Sequence, residues 1–245
     1  MKRPKMIIFD AGKTLINYLP KIDDKKMLYL STIDAIEKLM PYITSNLNNY
    51  DAQDINRFTN KIFEEYSKCR KAYFEINNQV ILKTVFDYLN IKLSISFSQA
   101  EKIIWNHSAN IVAVEGVLEL LDSLKCLGIR SAVISNLDFS GYLLEEKLNE
   151  LLPNNAFEFV IASSDYGIRK PQKLIFEIGI SKSGLAAEDI WYVGDKPTVD
   201  GSGSKSAGMT PIIFKSKKNQ YSEIPKDMIT IDDYKELIDI LKNIE

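Results

Sequence analysis

Met6-Ile7-Ile8-Phe9-Asp10-Ala11-Gly12-Lys13-Thr14-Leu15 is the stretch on which the fold turns. Four consecutive apolar residues end in an acid and a glycine-containing loop. A strand with one wet face alternates apolar and polar residues. An unbroken short run instead reads as a strand covered on both faces, as in a parallel sheet, with a polar residue at its C-terminal end. The same grammar recurs three times further on. Ile129 to Ile134 leads into Ser135-Asn136, Phe157 to Ala162 into Ser163-Ser164-Asp165, and Ile190 to Val193 into Gly194-Asp195.

Helical patterns separate these runs. Val117, Leu120, Leu121, Leu124 and Leu127 follow a 3.6-residue period, and Gly128 stands where a left-handed residue would stop that helix. Leu174, Ile175 and Ile178 predict a helix opened near Pro171 and closed around Gly179. Ala207-Gly208-Met209 ends another before the strand Thr210 to Phe214, and Asp232 to Leu241 reads as a terminal helix capped by Asp232 or Asp233. Strand and helix alternating at this spacing predict an α/β fold: an open parallel sheet with helices on both faces. Such sheets bind ligands beyond the C-terminal ends of their strands, where the acids and hydroxyls just named converge.

Residues from about 18 to 113 break the pattern. Phe58, Ile62 and Tyr66, then Val80, Val85, Phe86 and Leu89, then Ile103, Ile104 and His107 fall at helical spacing, while Ile91 to Phe97 alternates enough to leave a strand open. Structureless loops beyond about 12–15 residues are uncommon, so this segment is expected to be a helical insert above the active end of the sheet, able to exclude water from a pocket. His107, beside Trp105, reads as a packing or exposed residue. The lysine pairs Lys25-Lys26 and Lys217-Lys218 read as solvated.

Composition narrows the chemistry. The chain has 245 residues, with 31 Lys and Arg against 33 Asp and Glu, a formal charge of −2. That balance argues against nucleic acid or an anionic membrane as partner. The single His107 excludes a paired-histidine metal site, and Cys69 and Cys126 are too far apart for a CxxC pair. The first apolar run is too short for a secretory leader and no run approaches a membrane span, so a cytoplasmic protein with reduced thiols is expected. Carboxylates, lysines and hydroxyls are left to do any chemistry.

Four pieces in order, Phe9-Asp10-Ala11-Gly12-Lys13-Thr14-Leu15, Ile134-Ser135-Asn136, Arg169-Lys170-Pro171 and Gly194-Asp195 with Asp200, resemble the motifs of the haloacid dehalogenase superfamily of aspartate-nucleophile hydrolases. The resemblance implies a Rossmann-like three-layer core, residues 1–17 and 114–245, with a mainly helical cap over residues 18–113. It implies Asp10 as the nucleophile, Ser135, Asn136, Lys170 and Lys13 around a phosphoryl group, and Thr14 orienting the first loop. It also implies Mg²⁺ held by Asp10, the Gly12 carbonyl, Asp195 and Asp200. Hard oxygen donors suit that ion. The implied substrate is a small phosphorylated metabolite, and the protein a monomer or homodimer.

One position departs from the family pattern. Phosphatases of the superfamily usually carry an acid two residues after the nucleophile, which protonates the leaving group; here it is Gly12. A general acid contributes roughly 10²–10⁴ in rate. Alongside slow Mg²⁺-dependent phosphoryl hydrolysis, three readings therefore stay open. They are a metal-independent 2-haloacid dehalogenase, a phosphonate-cleaving enzyme using a cap lysine (Lys25, Lys26, Lys38, Lys61, Lys68 and Lys71 among them), and a phosphate-binding module with little catalysis. Asp195 and Asp200, the acidic pair expected around Mg²⁺, weigh against the dehalogenase.

Overall fold

The structure, a computed structural model, describes residues 2–19, 33–215, 224–226 and 228–244, and the side chain of Cys69 is not described. Lys25-Lys26 and Lys217-Lys218 lie outside the described residues. The chain opens with β1 (Met6–Phe9) and β2 (Ile16–Leu19). It continues through α1 (Ile33–Glu37), β3 (Ile43–Asn46), α2 (Ala52–Arg70), α3 (Asn78–Tyr88), β4 (Ile91–Leu93), α4 (Phe97–Ser108) and β5 (Asn110–Ala113). There follow α5 (Val117–Cys126), β6 (Arg130–Ser135), α6 (Gly141–Leu151), β7 (Phe157–Ala162), the single turn α7 (Ser163–Tyr166) and α8 (Lys173–Ser183). The last elements are β8 (Ile190–Gly194), α9 (Ser202–Ser206), β9 (Thr210–Phe214), β10 (Ile229–Ile231) and α10 (Tyr234–Asn243).

Six strands form one parallel sheet in the order β10-β9-β8-β1-β6-β7. The apolar runs explain why β1 is central: Met6, Ile7, Ile8 and Phe9 are all fully buried. Successive side chains of a strand point to opposite faces, and the two faces are both filled. Ile7 and Phe9 pack with Leu120, Leu124, Leu144 and Leu237 from α5, α6 and α10, whereas Met6 and Ile8 pack with Ile175 and Phe176 of α8. The α/β sheet with helices on both faces is thus the observed core.

Gly128 takes the expected left-handed backbone, φ 68°, after α5. Asp233 caps α10, its carboxylate accepting from the Glu236 N–H at 2.9 Å. The expected stop at Gly179 is corrected: α8 runs through it to Gly184, φ 66°. Gly179 serves a different purpose. A Cβ there would lie 2.7 Å from Ile134 Cδ1, so its lack of a side chain lets α8 approach the sheet.

The first loop leads into β2, which pairs antiparallel with β5 from Ile16↔Ala113 to Leu19↔Asn110. Between these strands α1–α4 build their own apolar cluster around Ile36, Ile55, Leu82, Val85, Phe86 and Ile104. The alternating stretch near Ile91 forms β4, which pairs with β3 outside the central sheet. Among the described residues, no helix is long and apolar enough to cross a membrane.

Candidate active site

Parallel strands that end together bring their following residues together. Asp10 follows β1 and is buried, its N–H donating to the Val193 carbonyl at 2.8 Å. Asp195 follows β8, and Asp200 lies in the tight turn Pro197–Gly201 behind it; both are buried. One carboxylate oxygen of each of Asp10, Asp195 and Asp200 lies within 4.8 Å of the others. Gly194 allows this approach, because a Cβ on it would stand 2.5 Å from Asp200 Cγ. Gly194→Ala is therefore expected to displace Asp200, destabilising the fold by about 1–3 kcal/mol and lowering turnover together. Chemical denaturation and steady-state kinetics on the same preparation would check this.

Lys170 is the counter-charge. It is 3% exposed, and its ammonium donates to Asp10 Oδ1 at 2.7 Å, Asp200 Oδ1 at 2.6 Å and the Tyr192 hydroxyl at 2.7 Å. An ammonium has three protons, so all three are engaged. Tyr192 passes the chain on, donating to the Ile134 carbonyl at 2.8 Å. Burial alone would lower Lys170, but the negative charges of Asp10 and Asp200 outweigh it and hold the ammonium well above its usual value. Asp200 is raised by its burial, with Lys170 the main opposing influence, and its Oδ2 accepts from the Lys196 N–H at 2.9 Å.

Asp10 and Lys170 line a cavity of about 230 Å³, together with Gly12, Lys13, Ser135, Asn136 and Asp200 among others. Ser135 ends β6 and is buried. Asn136 also braces the backbone beside it. Its side-chain amide donates to the Lys170 carbonyl at 3.0 Å and accepts from the Lys170 N–H at 2.8 Å. It ties the second motif to the third. Lys13 has φ 61°, the left-handed region that favours glycine. Thr14, like Asp195, stands back from the cavity. It is fully buried, and its carbonyl accepts from the Tyr234 hydroxyl.

The structure adds residues that no motif announced. Glu75, buried beside the cavity, accepts from Arg70 Nε at 2.9 Å and from Ser163 Oγ at 2.9 Å, and pairs with Arg169 at 3.2 Å. Arg70 also reaches Asp138 Oδ2 at 3.1 Å. Arg70 and Glu75 belong to the stretch between β2 and β5, whereas Asp138 and Arg169 follow sheet strands. The network thus joins the two parts across the cavity wall, which Tyr18, Trp105, Ile111 and Phe139 complete. His107 is not in that wall; its Nδ1 meets the Ile103 carbonyl at 2.7 Å within α4. Nor, among the described residues, do Lys38, Lys61, Lys68 or Lys71 line the cavity.

Asp10, Asp195 and Asp200 are all buried and gather their carboxylate oxygens together, so the all-oxygen cluster fits a hard divalent cation. Residues 29–214, well over half of the chain, match the family model described as haloacid dehalogenase-like hydrolase. The chain belongs to that family. As a haloacid dehalogenase-like hydrolase, it has relatives along its whole length. The glyceraldehyde 3-phosphate phosphatase of Methanocaldococcus jannaschii is 26% identical over 247 residues, covering 98% of each chain. That of Pyrococcus abyssi is 30% identical over 247 residues, covering 98% of this chain and 94% of the relative. Among solved structures, a 2-haloacid dehalogenase from Pseudomonas syringae superposes with a TM-score of 0.64 at 18% identity, covering 98% of each. A phosphatase of the same superfamily from Thermococcus onnurineus gives a TM-score of 0.54 at 18% identity, covering 100% of this chain and 99% of that one. At such identity the likeness is one of fold.

Proposed function

We propose that this hydrolase is a Mg²⁺-dependent phosphatase of small phosphorylated metabolites, glyceraldehyde 3-phosphate among them, with Asp10 as nucleophile. The observation that carries this reading is the placement of Asp10. It lines a small cavity, is held by Lys170 at 2.7 Å, and has Asp195 and Asp200 within reach of the same cation. Asp10, Asp195, Asp200 and the Gly12 carbonyl would hold Mg²⁺, which when bound offsets the charge gathered there as the phosphoryl group is transferred.

The chain's own groups supply the remainder. Lys170 fixes the Asp10 carboxylate, so that its attack on phosphorus starts from one orientation. Ser135 donates to a phosphoryl oxygen, and Lys13 adds positive charge at the cavity wall. Residues 18–113 act as a cap that keeps bulk water out, joined to the core by the Arg70–Glu75–Asp138–Arg169 network. A cavity of about 230 Å³ suits a substrate of a few carbons better than a nucleotide. The full-length relatives bear the name of a triose phosphate phosphatase, which favours the same size class.

Purified protein is expected to release phosphate from glyceraldehyde 3-phosphate and from an aryl phosphate with Mg²⁺ present, and to lose that activity with excess EDTA. Absence of release across a broad panel of phosphate esters would overturn the proposal. Chelator-insensitive halide release from short 2-haloacids would transfer the assignment to dehalogenation.

A further inference from the structure

Gly12 removes the carboxylic acid from the side of the leaving group, but another side chain lies against Gly12. Tyr18 of β2 covers it: a Cβ built on Gly12 would meet Tyr18 Cε2 at 3.4 Å and Cδ2 at 3.9 Å. Cε2 is bonded to the carbon that carries the hydroxyl. The side chain beside this position thus comes from six residues further on, and it ends in an O–H instead of a carboxyl.

The ring is well held. Tyr18 pairs in register with Ile111 of β5 and packs edge-to-face on Trp105 of α4, with centroids 6.1 Å apart. Tyr18 and Asp10 line the same cavity, and among the described residues the Tyr18 hydroxyl makes no hydrogen bond. A tyrosine phenol carries its proton at neutral pH, so it is a donor. The other polar groups nearby are less suited. Asp138 is held by Arg70 at 3.1 Å, and all three ammonium protons of Lys170 are engaged.

We propose that the Tyr18 hydroxyl donates a hydrogen bond to the leaving-group oxygen of the phosphorylated substrate, in the place vacated by the acid missing at Gly12. The inference rests on the phosphatase reading above. An Asp10 oxygen bonds to phosphorus, the phosphorus–oxygen bond to the substrate breaks, and its electron pair stays on the departing oxygen. Tyr18 stabilises the charge developing there, and a solvent water supplies the proton that oxygen finally carries. A second water then attacks phosphorus, breaking the bond to Asp10 and giving inorganic phosphate. The phenol remains intact throughout.

A phenolate leaves with little help, whereas an alkoxide needs the donor. The test is therefore the ratio of kcat/KM for an alkyl phosphate to that for an aryl phosphate, compared between the wild type and Tyr18→Phe. The variant keeps the ring over Gly12 and its contact with Trp105, and circular dichroism checks its fold. The ratio is expected to fall by roughly 10- to 100-fold, as for loss of a hydrogen bond to a charged oxygen. Tyr18→His, which restores a donor, is expected to recover part of the ratio. An unchanged ratio in Tyr18→Phe, whether both rates stay the same or fall equally, would overturn the inference and leave the phosphatase reading standing. No turnover of either substrate by the wild type would overturn both.

Discussion

Asp10→Asn is expected to lower phosphate release by at least roughly 10³-fold with little loss of fold. The substitution is isosteric, and its amide oxygen can still accept from Lys170, which now sits 2.7 Å from Asp10 Oδ1. What disappears is the anionic oxygen that attacks phosphorus. The amide cannot form an acyl phosphate, and neither of the other two carboxylates of the cluster can take over without moving. Asp200 is tied to Lys170 at 2.6 Å and to the Lys196 N–H at 2.9 Å, and Asp195 is absent from the cavity wall. The loss should appear in kcat, because Ser135, Lys13 and Lys170 still face the substrate. Two measurements check this. Steady-state release gives the size of the loss, and acid quenching with labelled substrate should trap a phosphoryl group on the wild type and none on the variant. Retention of more than about a tenth of the activity would remove Asp10 from its proposed role.

The fold was legible where burial left its mark on composition. Strands covered on both faces are apolar, so β1 and β8 stand out whole and β6 and β7 by their apolar stretches, and the polar residues that end them announce a site. Short elements carry no such mark. The three residues of β10 and the two four-residue strands β2 and β5 owe their extended form to partners far along the chain. Gly179 shows a subtler ambiguity: glycine both stops helices and lets them pack closely, and only the nearness of Ile134 decides between the two.

The site divides in the same way. Asp10, Ser135 and Asp195 stand at the ends of apolar runs or just behind them, whereas Lys170 and Asp200 were named by the resemblance of their motifs to those of the family. The Arg70–Asp138 and Glu75–Arg169 pairs span 68 and 94 positions, and no local pattern connects them. Tyr192 looked like one more bulky strand residue. Its place on β8 aims its hydroxyl at Lys170, which only the register of β8 against β1, Ile8↔Tyr192, reveals. Tyr18 was hidden for a related reason: its bearing on Gly12 arises from the turn between β1 and β2.

Lys170→Met should cost the protein both activity and stability. The native ammonium satisfies Asp10, Asp200 and Tyr192 at once in a position only 3% exposed. Methionine fills similar volume but leaves the buried carboxylates of Asp10 and Asp200 without the ammonium that bonds to both. Breaking a buried pair by removing one partner typically costs about 3–5 kcal/mol, a large share of a domain's stability. The pH dependence distinguishes this cause from poor packing. Burial already raises Asp200 while Lys170 opposes it, so without Lys170 the carboxyl is held still higher in the folded state. A folded state that binds more protons than the unfolded state loses stability as pH rises. The deficit of the variant relative to wild type, measured by urea unfolding in EDTA, is therefore expected to shrink as pH falls from 8 toward about 5. Packing damage would leave the deficit constant with pH. Kinetics should show a loss of roughly 10²-fold or more in kcat, since Asp10 would no longer be held for attack. A variant with near-native turnover and stability would mean that the Lys170 ion pairs neither orient the nucleophile nor hold the site together.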